Sequence, residues 1–405
     1  MQSTAARELF DRVRGLGATA AISGAAASTG GEVYVVGGTV RDLLLGRTPL
    51  DIDLAIDGEL GELAAALGSG GEAPTRFGTL SLTRDGLRYD LARTRTERYS
   101  HPGALPDVMP APIDADLSRR DFTVNALALG LAGPRTGELI APDGALADLH
   151  AGRLAVLHEQ SFRDDPTRLM RLARYSVRLA FKAAPQTLAL ARAAVRSGAL
   201  ETISSARAGN ELRLLAAEPD PAATFAAVAD LGLPWRLDPA LTAVALAALP
   251  PDGRRDLLVL ACVFAAAAAP AAGTKRSQAL SAELGRLGFT AADRDRIVAA
   301  ATTAERLARS LREAATPAAI ARAVDGNPPE AVALAAAHGA PAQARAWFED
   351  LRHRRLQITG HDLLAAGLAE GPQIGLALRA ARDALMDGSA PGRDSQLVVA
   401  LQAAR

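Results

Sequence analysis

The chain has 405 residues, 49 % of them hydrophobic and 22 % charged, with 45 basic and 45 acidic side chains and a formal net charge of zero. This length exceeds one ordinary hydrophobic core and implies two or more domains, and the residue balance is that of a globular protein rather than a disordered one. Neutrality excludes a whole-molecule attraction to nucleic acid and leaves local patches as the electrostatic route to such a partner.

Cys262 is the only cysteine, which excludes an intramolecular disulfide framework and a cysteine-based zinc site and fits a reducing compartment. Lys182 and Lys275 are the only lysines. The arginine excess fits a biased genome composition as well as planar recognition of phosphates and bases.

The opening stretch MQSTAARELFDRVRGLG is interrupted by charges and reads as an amphipathic helix rather than a signal peptide. Strand signals follow at 33–36, 50–56, 79–83 and 87–92, the last two joined by Arg84-Asp85-Gly86 as a hairpin. Beyond about residue 155, Ala, Leu and Arg recur with helical spacing, as in TRLMRLARYSVRLAF, and Pro and Gly punctuate successive helices. The apolar run 257–273 contains Pro270, is too short to span a bilayer and predicts a buried helix. These features describe a cytoplasmic α+β protein: a small head of antiparallel sheet and helices, then an all-helical body.

The chemistry concentrates in VYVVGGTVRDLLLGRTPLDIDLAIDG. Gly37 and Gly38 separate a strand from a helix, where backbone amides can approach a phosphate; a purely structural turn reads the same way. The pattern is neither G-x-G-x-x-G nor a Walker A loop. Asp51 and Asp53 stand at i and i+2 of a strand and share a face. Two ionised carboxylates there repel each other unless a cation lies between them, and carboxylates combined with phosphate oxygens suit Mg²⁺. Asp90, in the second hairpin strand, is a candidate third carboxylate or an exposed strand residue.

GGTVRDLLLG followed by DIDLAID resembles the signature of the class II tRNA nucleotidyltransferases (CCA-adding enzymes) and bacterial poly(A) polymerases. Further segments are similar to the family's motifs in the same order. They are DLSRRDFTVNALAL at 116–129, DLHAGR at 148–153, RDDPTRLMRLARY from Arg163, RAGNE at 207–211 and ITGHDLL with its following helix near the C-terminal end. The resemblance implies a nucleotidyltransferase head over 1–153, a base-recognising neck over 154–225, a helical body over 226–325 and a tRNA-binding tail over 326–405.

It further implies catalytic, Mg²⁺-binding roles for Asp51 and Asp53. Gly37, Gly38, Arg41, Arg119, Arg120, Asp121 and Asn125 would bind the nucleotide. Asp165 and Arg168, at i and i+3 on one helix, would read the base. A carboxylate accepting from an exocyclic amine beside a guanidinium donating to a ring acceptor fits cytosine and adenine and rejects uracil and guanine. Asp165 before Pro166 also reads as a helix cap. Arg171, Arg174, Arg178 and Arg213 are candidate tRNA backbone contacts, although each also reads as a solvated helix residue.

The implied activity is addition of CCA to tRNA from CTP and ATP. HPGALPD stands where many family members carry a DGRRPD-like loop, so addition of only CC or only A stays open. Asp164 replaces the family's usual glutamate. The alternatives are a poly(A) polymerase, against which the absence of a basic run in SAPGRDSQLVVALQAAR counts, and an inactive tRNA-binding relative. His361-Asp362 lacks upstream histidine partners and reads as a helix start, not a metal dyad.

Overall fold

A computed structural model of the chain describes residues 2–49, 51–66, 79–266 and 274–405. It divides into two units, Met1–Ser204 and Ser205–Arg405.

In the first unit, α1 (Gln2–Arg14) and α2 (Thr19–Ser28) precede β1 (Glu32–Val36), whose last four residues are all buried, the pattern of a strand covered on both faces. The strand ends at Gly37, with φ 65° and ψ −129°, a conformation that glycine alone adopts readily, and the chain turns at once into α3 (Gly38–Leu44). β2 (Asp51–Asp57) then pairs antiparallel with β1, with Leu54 opposite Val35. Leu50, expected at the head of this strand, lies outside the described residues.

After α4 (Leu60–Ala66), β3 (Thr79–Arg84) and β4 (Leu87–Arg93) form the expected hairpin across Asp85 and Gly86, both at positive φ. β3 takes the sheet edge, and β4 fills the place between β3 and β2, running parallel to β2. A second hairpin, β5 (Arg95–Arg98) and β6 (Asp107–Pro110), pairs with itself outside the main sheet.

α5 (Ile113–Ser118) leads through a short turn of 3-10 helix to β7 (Ala128–Ala132), which pairs with the free side of β1, and to β8 (Leu139–Ile140) beyond it. The strand order is β3-β4-β2-β1-β7-β8. The α+β class expected from the sequence holds. The sheet is mixed rather than wholly antiparallel, because insertion of β4 beside β2 makes that one pair parallel. Ile113 and Leu117 of α5 pack on Tyr34, Val36 and Ala55 of the sheet. That packing sets α5 and the arginines after it over the β2 face that carries Asp53.

The unit continues through α6 (Ala145–His150), β9 (Arg153–Leu154), α7 (Ser161–Asp164), α8 (Thr167–Leu179), β10 (Lys182–Ala183) and α9 (Pro185–Arg196), with β9 and β10 paired in parallel.

In the second unit helix follows helix, from Ser205–Ala216 to Arg393–Ala403, with no strand among its described residues. Several begin with proline just inside the first turn, as at Pro221, Pro239, Pro317 and Pro372, where the missing N–H is no loss. Helix Arg255–Ala266 is buried from Leu257 to Phe264 and carries Cys262 in the core; residues 267–273 of the apolar run lie outside the described residues. His361 and Asp362 open helix Gly360–Ala365 through a capping box with Thr359, as expected of a helix start. No helix among the described residues is long and apolar enough to cross a membrane.

Candidate active site

Along β2 the side chains alternate as period two requires: Asp51 exposed, Ile52 buried, Asp53 half-buried. The parallel partner places Asp90 opposite Asp53 and Arg88 opposite Asp51. Thr39, buried in the first turn of α3, accepts from the Asp53 backbone N–H at 3.0 Å and donates to the Asp51 carbonyl at 3.3 Å. One hydroxyl thereby ties the glycine turn to the strand that carries both carboxylates.

Burial pushes the Asp53 carboxyl up to about 6, with the Asp51 charge adding to the shift and Asp90 adding less, against the lowering effect of Arg120 and Arg41. Asp90 is partly compensated, since its Oδ1 accepts from Ser81 Oγ and from Arg88 Nε at 3.1 Å and Nη2 at 3.0 Å.

Among the described residues, no cluster of three or more His, Cys, Asp or Glu side chains forms a complete metal cage. Mg²⁺ does not require one, since it is commonly held by one or two carboxylates plus substrate phosphates and water. Asp51 and Asp53 share a strand face with Asp90 opposite Asp53, and a cation there would offset both the burial of the Asp53 carboxylate and its repulsion by Asp51, so the residues present fit such an ion.

A cavity of about 440 Å³ opens beside this strand, lined by Asp53, Ser81, Arg88, Asp90, Arg119 and Arg120, among others. Both arginines at its edge are held by Asp116, which is 1 % exposed. Arg119 donates to its Oδ1 from Nε at 3.0 Å and Nη2 at 2.6 Å, and Arg120 to its Oδ2 from Nε at 3.3 Å and Nη2 at 2.9 Å. Burial raises the Asp116 carboxyl, but Arg120 and Arg119 outweigh it and hold the group below its ordinary range.

Arg120 Nη1 lies so near Gly37 that a β-carbon there would sit 2.7 Å from it and 3.9 Å from Asp53 Oδ2. Gly37, Arg120 and Asp53 are therefore neighbours.

The other candidate residues form a second, buried cluster. Asp121 accepts from Arg171 Nε at 2.8 Å and Nη2 at 2.6 Å, from Asn125 Nδ2 at 3.0 Å and from the Phe122 N–H at 2.8 Å. Arg41 is buried, bonded to Asn125 Oδ1 and Asp42, and stacked 5.6 Å from the Tyr175 ring. Arg171 and Arg174 also lie over Tyr175, at 5.7 and 5.2 Å.

Arg174 is 6 % exposed. Arg174 thus turns toward this cluster instead of presenting itself to a polynucleotide backbone, whereas Arg171, bonded to Asp121, keeps its side chain 33 % exposed. The physical reason is that α8 buries Arg174, whose guanidinium meets the face of Tyr175, while Arg171 is drawn to the Asp121 carboxylate. Arg213, on helix Ser205–Ala216 in the second unit, donates to the Gly288 carbonyl at 2.6 Å and lies 4.0 Å over Phe289.

Asp165 caps α8, its Oδ1 accepting from the Thr167 N–H at 3.0 Å and hydroxyl at 2.6 Å. Arg168, one turn on and 4 % exposed, donates from Nη1 to Ser161 Oγ and from Nη2 to the Arg119 carbonyl, each at 2.6 Å.

Sequence reading had passed over Asp116, Thr39, Glu97 and Tyr175. For Asp116 a signal existed: it stands three and four residues before Arg119 and Arg120, the spacing of neighbours on a helix face. For Glu97 no local signal exists.

Residues 33–155 match the family described as the poly A polymerase head domain. Over 206 residues the chain is 41 % identical to the A-adding tRNA nucleotidyltransferase of Geobacter sulfurreducens, a match covering 50 % of this chain and 23 % of that protein. Over 196 residues it is 41 % identical to the CC-adding tRNA nucleotidyltransferase of Deinococcus radiodurans, covering 47 % and 51 %. The chain thus spans about half the length of these curated relatives or less. Among solved structures, the Thermotoga maritima CCA-adding enzyme complexed with tRNA_CCA aligns over 96 % of this chain and 95 % of that one, with a TM-score of 0.70 and 26 % identity.

Proposed function

We infer that this chain, which resembles the class II tRNA nucleotidyltransferases and bacterial poly(A) polymerases, adds cytidylate, adenylate or both to the 3′ end of tRNA without a template. In the reaction the terminal 3′-hydroxyl oxygen attacks the α-phosphorus of CTP or ATP. The bond to the bridging oxygen breaks, pyrophosphate leaves, and the hydroxyl proton is lost to solvent or a nearby base.

The observation that carries this reading is the arrangement of Asp51 and Asp53 on one strand, with Asp90 opposite Asp53 and Arg120 bordering the same cavity. Asp51 and Asp53 would hold Mg²⁺. Bound there, the ion lowers the pKa of an attacking hydroxyl and stabilises charge on a departing pyrophosphate. Arg120, fixed by Asp116, is placed to offset phosphate charge, and the Gly37–Gly38 backbone leaves room for the phosphates to approach. Asp165 and Arg168 would select cytosine and adenine through their amine and ring acceptor.

In this reading the segments 1–153, 154–225, 226–325 and 326–405 serve as head, neck, body and tail of a cytoplasmic enzyme, with the helical segments holding the acceptor arm of tRNA.

The test is incubation with tRNA lacking its terminal CCA, and with tRNA ending in C-C, plus each labelled nucleoside triphosphate and Mg²⁺. Addition of C, C and A supports a full CCA-adding enzyme, and addition limited to C-C or to A identifies a divided one. Long adenylate tails would replace this reading with a poly(A) polymerase, and no incorporation with an inactive relative. Asp53→Ala is expected to abolish incorporation with tRNA binding retained; equal activity in that variant removes the metal role.

A further inference from the structure

We propose that Glu97, on β5, is a positioning residue for base selection, acting on Arg168 through Arg119; the proposal rests on the reading of Asp165 and Arg168 as the base-selecting pair. The Glu97 side chain is 7 % exposed. Its Oε1 accepts from Arg119 Nη1 at 2.7 Å and Arg95 Nη2 at 3.1 Å, and its Oε2 accepts from Tyr99 Oη at 2.8 Å.

Arg119 is thereby gripped from two sides. Glu97 holds Nη1, while Asp116 holds Nε and Nη2. The same Arg119 offers its backbone carbonyl to Arg168 Nη2 at 2.6 Å, and the buried Ser161 hydroxyl takes Arg168 Nη1. The planar guanidinium of Arg168 is therefore aimed by two acceptors, one of which moves with Arg119.

Charge-assisted hydrogen bonds at three nitrogens of Arg119 narrow the positions open to its Cα, and with it the carbonyl to which Arg168 donates. The chain of contacts runs Tyr99, Glu97, Arg119, Arg168, and it starts on a hairpin that the main sheet does not hold. Burial and the Glu97 charge raise the Tyr99 hydroxyl above its ordinary pKa, so it remains a donor to Glu97 throughout the accessible pH range.

Glu97→Gln keeps the shape and an acceptor toward Tyr99 but removes the charge that fixes Arg119. Binding of CTP, ATP, UTP and GTP is measured by equilibrium dialysis, and kcat and KM for each by incorporation into tRNA. The ratio of preferred to rejected nucleotides is expected to fall roughly tenfold, the scale of one charged hydrogen bond, with a smaller change in kcat for the preferred nucleotide. In an Arg168→Ala background the same substitution is expected to change the ratio no further, since the route through Arg168 is already gone.

Unchanged selectivity in Glu97→Gln with an unchanged melting temperature would overturn the proposal, as would an effect that adds fully to that of Arg168→Ala. If the wild-type protein binds all four nucleotides alike, the base-selection reading itself falls. A crystal structure of Glu97→Gln then decides the positioning claim separately: a retained Arg168 Nη2 to Arg119 carbonyl bond refutes it, and a broken one supports it.

Discussion

Arg168 Nη2 donates to the backbone carbonyl of Arg119 at 2.6 Å across 49 residues of sequence. This contact joins the helix after Pro166 to the arginine pair beside the carboxylates. It makes the orientation of one guanidinium depend on a peptide from a different motif. Lysine carries the charge but cannot present two N–H groups in a fixed plane. Arg168→Lys is therefore expected to lose discrimination among the four nucleoside triphosphates by roughly 10–100-fold, the scale set by one or two charged hydrogen bonds. Competition binding measures this; a lysine variant with wild-type selectivity would show that the planar fork is not used.

Burial and the neighbouring Asp51 push the Asp53 carboxyl up to about 6 from an ordinary value of 3.8. The metal-free fold therefore favours the protonated form. That contribution to stability is complete below 3.8 and is lost as pH rises through about 6. Asp53→Asn is expected to raise the melting temperature of chelator-treated protein at neutral pH, by about 2–4 °C per kcal/mol relieved, and to change nothing in acid. Added Mg²⁺ should stabilise the wild type and not the variant. A melting difference that is independent of pH would contradict a cost of ionising Asp53 in the fold.

Asp116 titrates in the opposite sense. Its burial raises the carboxyl, yet Arg120 and Arg119 hold it below the ordinary 3.8, so the stability it brings is present above that value and is lost as pH falls through the folded-state value. Removing a buried carboxylate from two guanidinium groups costs roughly 3–5 kcal/mol. Asp116→Ala is expected to lower the free energy of unfolding by that amount at neutral pH and by less in acid, with a matching fall in the urea midpoint, and to weaken triphosphate binding because Arg119 and Arg120 lose their common anchor. An unchanged midpoint at neutral pH would show that the arginines find other partners at no cost.

Gly37 and Gly38 are adjacent and not equivalent. Gly37 has φ 65°, and a β-carbon there would meet Arg120 Nη1 at 2.7 Å; at Gly38 it would meet the Arg41 guanidinium, no nearer than 3.4 Å at Nη2. Gly37→Ala is expected to cost about 1–3 kcal/mol of backbone strain and to displace Arg120 from the cavity edge, whereas Gly38→Ala, within the first turn of α3, is expected to be nearly silent. Chemical denaturation of the two variants side by side checks this, and equal losses would remove the special role of Gly37.

Some of this site was legible as local geometry. The D-I-D triplet puts two carboxylates on one strand face because side chains alternate with period two, and Asp165 with Thr167 forms a cap because a proline starting the helix leaves the next free N–H to the aspartate side chain before it. The hairpin at Asp85-Gly86 and the proline-started helices follow from which backbone angles those residues tolerate. Burial was not legible in this way: Arg174 has the spacing of a solvated arginine, and nothing in that spacing says that it is buried over Tyr175 or that Arg171 beside it closes on Asp121.

The sequence by itself determined the strand that holds the carboxylates, the glycine turn before it, the helical character of the remainder and the order of motifs that resembles that of the tRNA nucleotidyltransferases. All of these depend on contacts within a few residues or on short fixed patterns. Only the tertiary structure decided that β4 lies parallel to β2 and sets Asp90 opposite Asp53. It also decided that Asp121 is closed by Arg171 from 50 residues away and that Glu97 reaches Arg119 across 22. These are choices of partner between charges distant in the chain. They are made by which apolar faces pack together and by the cost of leaving a buried charge alone, and no local pattern records either.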